Sequence, residues 1–223
     1  MRSSSSRVWH GLLAVVALVA LIAQTVLVVR GGVDANATTT NVVAASTGTR
    51  LVNLFSYFTI QSNILTLVAA ASLALAPDRD GRLWRVVRLD MLIGIVITGA
   101  VFGIVLAGLV HPTGVAWWCN TALHYFAPWW ALVGWLLFGP RPRIDWATVG
   151  WSFVWPVAWI VYTFVRGAVT GFYPYPFLNV TDLGLLVALR NTAAVVLLAC
   201  VLILVFRLVD RRMPFQVGSK SVA

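Results

Sequence analysis

The chain has 223 residues, of which 60% are hydrophobic and only 10% charged, and its mean hydropathy is strongly positive. A soluble domain of this length cannot hide so much apolar surface, so the composition excludes an ordinary soluble protein and points to one solvated by lipid. The formal charge of +9 comes from 15 Arg and one Lys against seven Asp, with no Glu. No basic helix or aromatic-basic sheet pattern accompanies that charge, which excludes nucleic acid as a partner and leaves topology and anionic headgroups as its cause.

Crossing a ~30 Å hydrocarbon core takes about 20 helical residues. Six apolar runs meet that length, at roughly 10–29, 51–76, 89–110, 117–138, 147–169 and 183–209. The expectation is an all-α, integral membrane bundle of six transmembrane helices, a single domain covering 1–223 without internal repeats.

The first span follows "MRSSSSRVWH", which resembles a secretory leader, with Ala35-Asn36-Ala37 as a small-residue cleavage site. Its apolar run of 19 residues exceeds the usual signal length of about 7–15, so a retained helix is expected. Residues 30–50 are small and polar, suiting a flexible outer loop or a partial lid.

Span 2 carries Ser56, Thr59, Asn63 and Thr66 at helical spacing, one polar face on an otherwise apolar helix. Helix–helix hydrogen bonding explains such a face as readily as a site does. "HPTGVA" makes a short 3–4 connection, so those spans are adjacent and antiparallel. In span 4, Pro128 leaves the His124 carbonyl without a helical donor and predicts a kink; Pro156 does the same to Ser152 in span 5. "YPYPFLN" between spans 5 and 6 places Tyr173, Tyr175 and Phe177 at the outer interface with Trp117 and Trp118, as rigid punctuation or as the lining of a ligand entrance.

Cations decide the orientation. Arg2, Arg7, Arg79, Arg82, Arg85, Arg88, Arg141, Arg143, Arg207, Arg211, Arg212 and Lys220 fall on one face, against Arg30, Arg50 and Arg166 on the other, so both termini are expected in the cytoplasm. His10 and His111 fall at opposite boundaries and are expected to be solvated; Cys119 and Cys200 lie at different depths and are expected unpaired. The excess of Arg over Lys, with abundant Ala, Val and Leu, suggests a bacterial inner membrane protein.

Three polar groups share one depth. By helical rise Thr59 lies about 12 Å below the outer end of span 2, and His124 and Arg190 about 10 Å below the outer ends of spans 4 and 6. A hydroxyl and a neutral imidazole in one plane suit nucleophilic acyl transfer, the imidazole taking the hydroxyl proton and returning it to the leaving alcohol. Asn63 and Asn120 stand one turn from Thr59 and His124 and can orient them or donate to an oxyanion. Arg190 can meet a substrate carboxylate, a carbonyl or a lipid phosphate, and Asp182 can pair with it or cap its helix.

"YFTIQSNIL" in span 2, "NTALHYFAP" in span 4 and "YPYPFL" before span 6 together resemble the androgen-induced protein family and its bacterial six-span relatives. Eukaryotic members of that family are threonine hydrolases of fatty acid esters of hydroxy fatty acids. The resemblance implies Thr59 as nucleophile and His124 as base. This chain departs from the family at Thr121, where eukaryotic members carry a further His, in a His124-to-Pro128 spacing one residue shorter, and at Asn179 in place of acidic residues.

The resulting expectation is an intramembrane lipid ester hydrolase with Thr59 and His124 catalytic and its pocket towards the outer leaflet. Ser56, Asn63, Asn120, Tyr175 and Arg190 are expected to bind substrate, with no cofactor or metal. Its partners are a lipid or fatty acid ester and the membrane lipids. The rivals are a non-enzymatic lipid-binding protein, a transporter, and purely structural contacts between helices.

Overall fold

A computed structural model describes residues 2–32, 34 and 45–214. Lys220, the Ala35-Asn36-Ala37 stretch and most of the expected lid lie outside the described residues. The described chain is all-helical. In order it runs α1 (Arg2–Val29), α2 (Thr47–Ser56), α3 (Phe58–Leu75), α4 (Arg82–Val101), α5 (Gly114–Thr121), α6 (Ala127–Phe138), α7 (Trp146–Trp151), α8 (Val154–Thr170), α9 (Val180–Leu183) and α10 (Leu185–Arg212). A π-helical turn, Phe102–Leu106, extends α4; a second, Ala122–Phe126, joins α5 to α6. Five of these helices, counting short extensions, are long and apolar enough to cross a membrane: Ser3–Val29, Phe58–Leu75, Arg82–Leu106, Trp146–Thr170 and Leu185–Arg212. The composite helix through α5 and α6 is diluted by Asn120, His124 and its tryptophans.

α4 is the central helix, buried at every residue from Arg88 to Gly99 and flanked by α3, α6, α7 and α10. Leu92 and Ile95 of α4, Ala69 and Leu73 of α3 and Ala127 of α6 belong to one core cluster. α1 lies along α3 and α6. It is bolted to α6 by Trp9 and Trp130, whose rings stack at 3.9 Å while each indole N–H donates to the other's carbonyl at 3.1 Å. His10 is buried here, contrary to expectation, because its Nδ1 donates to the Ser6 carbonyl at 2.8 Å and its ring meets Phe138 edge-on. His111 is exposed, and both cysteines are free.

Span 2 is not one continuous helix. Tyr57 is extended (φ −66°, ψ 131°) and separates α2 from α3, so Ser56 and Thr59 do not share a helical face. A broken backbone survives among apolar helices only where its freed groups find new partners, and here side chains supply them. Trp159 Nε1 donates to the Ser56 carbonyl at 2.9 Å and Gln61 Nε2 to the Phe55 carbonyl at 3.1 Å, while Trp155 Nε1 holds Gln61 Oε1 at 2.9 Å. The Tyr57 ring meets Phe172 and Tyr175 edge-on, which anchors the bend.

The expected proline breaks take different forms. Ahead of Pro128 the wider Ala122–Phe126 turn absorbs the lost hydrogen bond, and Pro128 sits in the first turn of α6, where a missing N–H costs nothing. Ahead of Pro156 the helix stops at Trp151 and restarts at Val154.

One end of the bundle carries the Arg–Asp network. Arg85 grips Asp80 with two bonds of 2.7 and 2.8 Å, Arg143 also pairs with Asp80, and Asp210 accepts from the backbone N–H groups of Arg143 and Ile144. The Arg85 guanidinium holds the Asp80 carboxyl well below the usual carboxylate range.

Candidate active site

Thr59 is the second residue of α3 and His124 lies in the Ala122–Phe126 turn. Both are buried, with 3% and 2% of their surfaces exposed. Thr59 Oγ1 lies 3.3 Å from His124 Nε2, while His124 Nδ1 is 3.1 Å from the Asn120 carbonyl oxygen. A carbonyl only accepts, so the proton sits on Nδ1 and the Nε2 lone pair faces the Thr59 hydroxyl. That is the tautomer a general base needs, set by a backbone oxygen instead of a carboxylate. Phe102 stacks on the imidazole at 4.0 Å and fixes its plane.

Tyr175 is the residue whose direction the sequence did not reveal. The segment after α8 turns it inward instead of leaving it at the interface, and its phenol oxygen lies 3.2 Å from Thr59 Oγ1 and 3.1 Å from the Thr59 amide nitrogen. The ring packs against Tyr57, Trp159 and Phe177. Burial pushes the phenol up to about 12, so it stays a neutral O–H donor at ordinary pH. The one sequence cue was Pro174 and Pro176, which stiffen the chain around it.

The polar groups now read as a directed chain. The Thr59 N–H donates to the phenol oxygen, the phenol O–H points at Thr59 Oγ1, the Thr59 hydroxyl donates to His124 Nε2, and Nδ1–H donates to Asn120 O. Asn63 braces both partners through one amide, its Nδ2 donating to the carbonyls of Thr59 (2.9 Å) and Leu123 (3.2 Å). Asn120 acts on the imidazole through its backbone, and its own side chain is buried.

Thr59 and Tyr175 open onto a cavity of about 90 Å³ whose walls are otherwise almost wholly apolar. α4 forms its floor, and α8 and α10, which scarcely touch each other, form its two flanks. His124 does not line it. Among the polar wall groups, the Thr98 and Thr163 hydroxyls are buried without a hydrogen-bond partner among the described residues.

Of the residues expected to bind substrate, Ser56, Asn63, Asn120 and Arg190 do not line the cavity. Ser56 donates to the Val52 carbonyl (2.6 Å), lies 2.8 Å from the Tyr162 hydroxyl and is not in the cavity wall. Arg190 is exposed on α10 and does not line the cavity, because the turn of α10 that faces inward there presents Ala188 and Thr192. Asp182 accepts from Asn179 at 2.6 Å and does not cap α10, whose N-cap is Gly184; Asn179 caps the short α9 before it. Asp34 is buried and accepts from Gln24 at 3.0 Å. No protein-family model, curated protein or solved structure matches the chain.

Proposed function

We propose that the protein is an intramembrane hydrolase of lipid esters, with Thr59 as nucleophile and His124 as general base. The observation that carries this reading is the 3.3 Å approach of Thr59 Oγ1 to an imidazole nitrogen whose ring partner fixes it as an acceptor, at the wall of an apolar cavity. A hydroxyl merely cementing two helices has no need of a cavity beside it. The short motifs shared with the androgen-induced family support the same assignment, and a fatty acid ester of a hydroxy fatty acid or a similar ester is the substrate proposed.

In the proposed topology α5 and α6 together form span 4 and complete six crossings, both termini are cytoplasmic, and the Arg–Asp end faces the cytoplasm of a bacterial cell. The Lys/Arg distribution supports that orientation. The cavity then opens towards the outer leaflet, and the loosely joined flanks of α8 and α10 give an ester carried in lipid a lateral way in.

In the proposed reaction the Thr59 Oγ–H proton passes to His124 Nε2 as Oγ1 bonds to the ester carbonyl carbon. The tetrahedral intermediate then collapses, the bond to the leaving alcohol breaks, and the alcohol oxygen takes the proton from Nε2. Water, deprotonated by the same nitrogen, bonds to the acyl carbon; the carbon–Oγ1 bond then breaks, Oγ1 takes the proton back from Nε2, and the fatty acid leaves. The second reading is a non-enzymatic lipid-binding protein, favoured by the almost unbroken apolar wall of the cavity. Treatment of the detergent-purified protein with a long-chain alkyl fluorophosphonate separates the two. Adduct at Thr59, absent in His124→Ala, is expected. A protein that keeps a stoichiometric lipid, takes no adduct and turns over no ester is a binder.

A further inference from the structure

The break at Tyr57 does more than bend a helix. In an unbroken helix the Thr59 N–H would donate to the carbonyl of Phe55, four residues back. Here that carbonyl is taken by Gln61 Nε2, and the Thr59 N–H is left among the free donors at the start of an 18-residue helix, where the backbone dipole favours negative charge. The group it meets is the Tyr175 phenol oxygen. A main-chain N–H and a side-chain O–H thus meet at the proposed nucleophile, with the phenol oxygen 3.1 Å from the amide nitrogen and 3.2 Å from Oγ1, both residues at the cavity wall.

We propose that the Thr59 N–H and the Tyr175 O–H together form the oxyanion site of this protein, built for an acyl carbonyl. The inference rests on the hydrolase reading. As Thr59 Oγ1 bonds to the carbonyl carbon, the C=O π pair moves onto oxygen. That oxygen, attached to the carbon on Oγ1, comes within reach of both donors. The phenol turns its proton from Oγ1 to the oxyanion, the N–H passes from the phenol oxygen to the same atom, and Tyr175 keeps its proton throughout. In the resting site both donors already stand beside Thr59 Oγ1, satisfied by each other and by the hydroxyl, so small rotations aim them at the oxygen on which charge develops, and donors placed there accelerate acyl transfer. Gln61, Trp155 and Trp159 are positioning residues, since they hold the break that frees the amide.

Tyr175→Phe tests this, because phenylalanine keeps the packing on Tyr57, Trp159 and Phe177 and removes only the O–H. The substrate is a long-chain p-nitrophenyl ester, and the probe is a long-chain trifluoromethyl ketone that forms a hemiketal oxyanion on a hydroxyl nucleophile. Loss of one oxyanion donor costs about 10²–10³-fold in kcat. The expected result is a fall of that size in kcat with KM within about threefold, a matching loss of ketone affinity, and an unchanged unfolding temperature. A kcat within threefold of wild type, or a loss confined to KM, overturns the oxyanion assignment while wild-type turnover that Thr59→Ala abolishes leaves the hydrolase reading standing. Wild-type protein without Thr59-dependent turnover overturns both.

Discussion

Replacing Gly99 with alanine adds one methyl group where α4 packs against the start of α6. A Cβ there lies 2.7 Å from Pro128 Cβ, 3.0 Å from its Cγ and 3.4 Å from the His124 carbonyl oxygen. Ordinary contact begins near 3.4 Å, so one helix must retreat by about 0.7 Å, and a proline ring cannot rotate out of the way. Overpacking of this kind costs about 1–3 kcal/mol, while alanine's helix preference over glycine returns about 0.5–1 kcal/mol. The net expectation is a loss of about 1 kcal/mol. Gly103, one turn on and with nothing within 4 Å of its Cβ position, is the control, and Gly103→Ala should keep the full propensity gain. Thermal unfolding in detergent measures both. The retreat also moves the turn carrying His124, and since a 1 Å misplacement can cost about 10²-fold, fluorophosphonate labelling of Thr59 should slow about tenfold in Gly99→Ala. If Gly99→Ala unfolds at a higher temperature than wild type, as Gly103→Ala should, the close approach of α4 to Pro128 is wrong and the bracing of the base with it.

Two further outcomes are expected. Thr163→Val keeps the shape of a side chain whose buried hydroxyl has no partner among the described residues, so it should stabilise the empty protein by about 1 kcal/mol; a fall in unfolding temperature would mean the hydroxyl is bonded. Asp80→Asn should cost no more than about 1 kcal/mol at pH 7, since the pairs with Arg85 and Arg143 are about a third exposed. Its folded pKa is depressed, so the wild-type advantage is complete above the unfolded value of 3.8 and shrinks as pH falls below it. Unfolding of the two proteins from pH 7 to pH 3 should therefore converge; a gap that stays constant would show that the carboxylate charge is not the stabilising element.

The candidate pair was legible because depth along a helix is arithmetic. Counting residues inward from the expected outer ends of two apolar runs put Thr59 and His124 at one level, and the structure brings them to 3.3 Å. The same arithmetic put Arg190 at that level, yet rotation about the α10 axis leaves it exposed. Depth is a property of one helix, whereas facing depends on how that helix is turned by its neighbours. The break at Tyr57 escaped notice for a related reason, since neither Gly nor Pro marks it and its stabilising groups, Trp159 and Tyr175, lie about a hundred residues away.

What the sequence by itself determined is therefore one-dimensional: apolar runs that must be helical, the strengths and depths of the polar groups they carry, and the prolines at which backbone hydrogen bonds are lost. These follow from composition and from the 1.5 Å rise of a regular helix. Only the tertiary structure decided that Tyr175 turns inward onto Thr59, that His10 is buried, that Arg190 is not part of the cavity, and that α8 and α10 flank an apolar space beside the threonine. Each depends on side-chain contacts between segments far apart in the chain, where the cost of an unpaired polar group in an apolar interior is settled by whichever partner packing brings within reach.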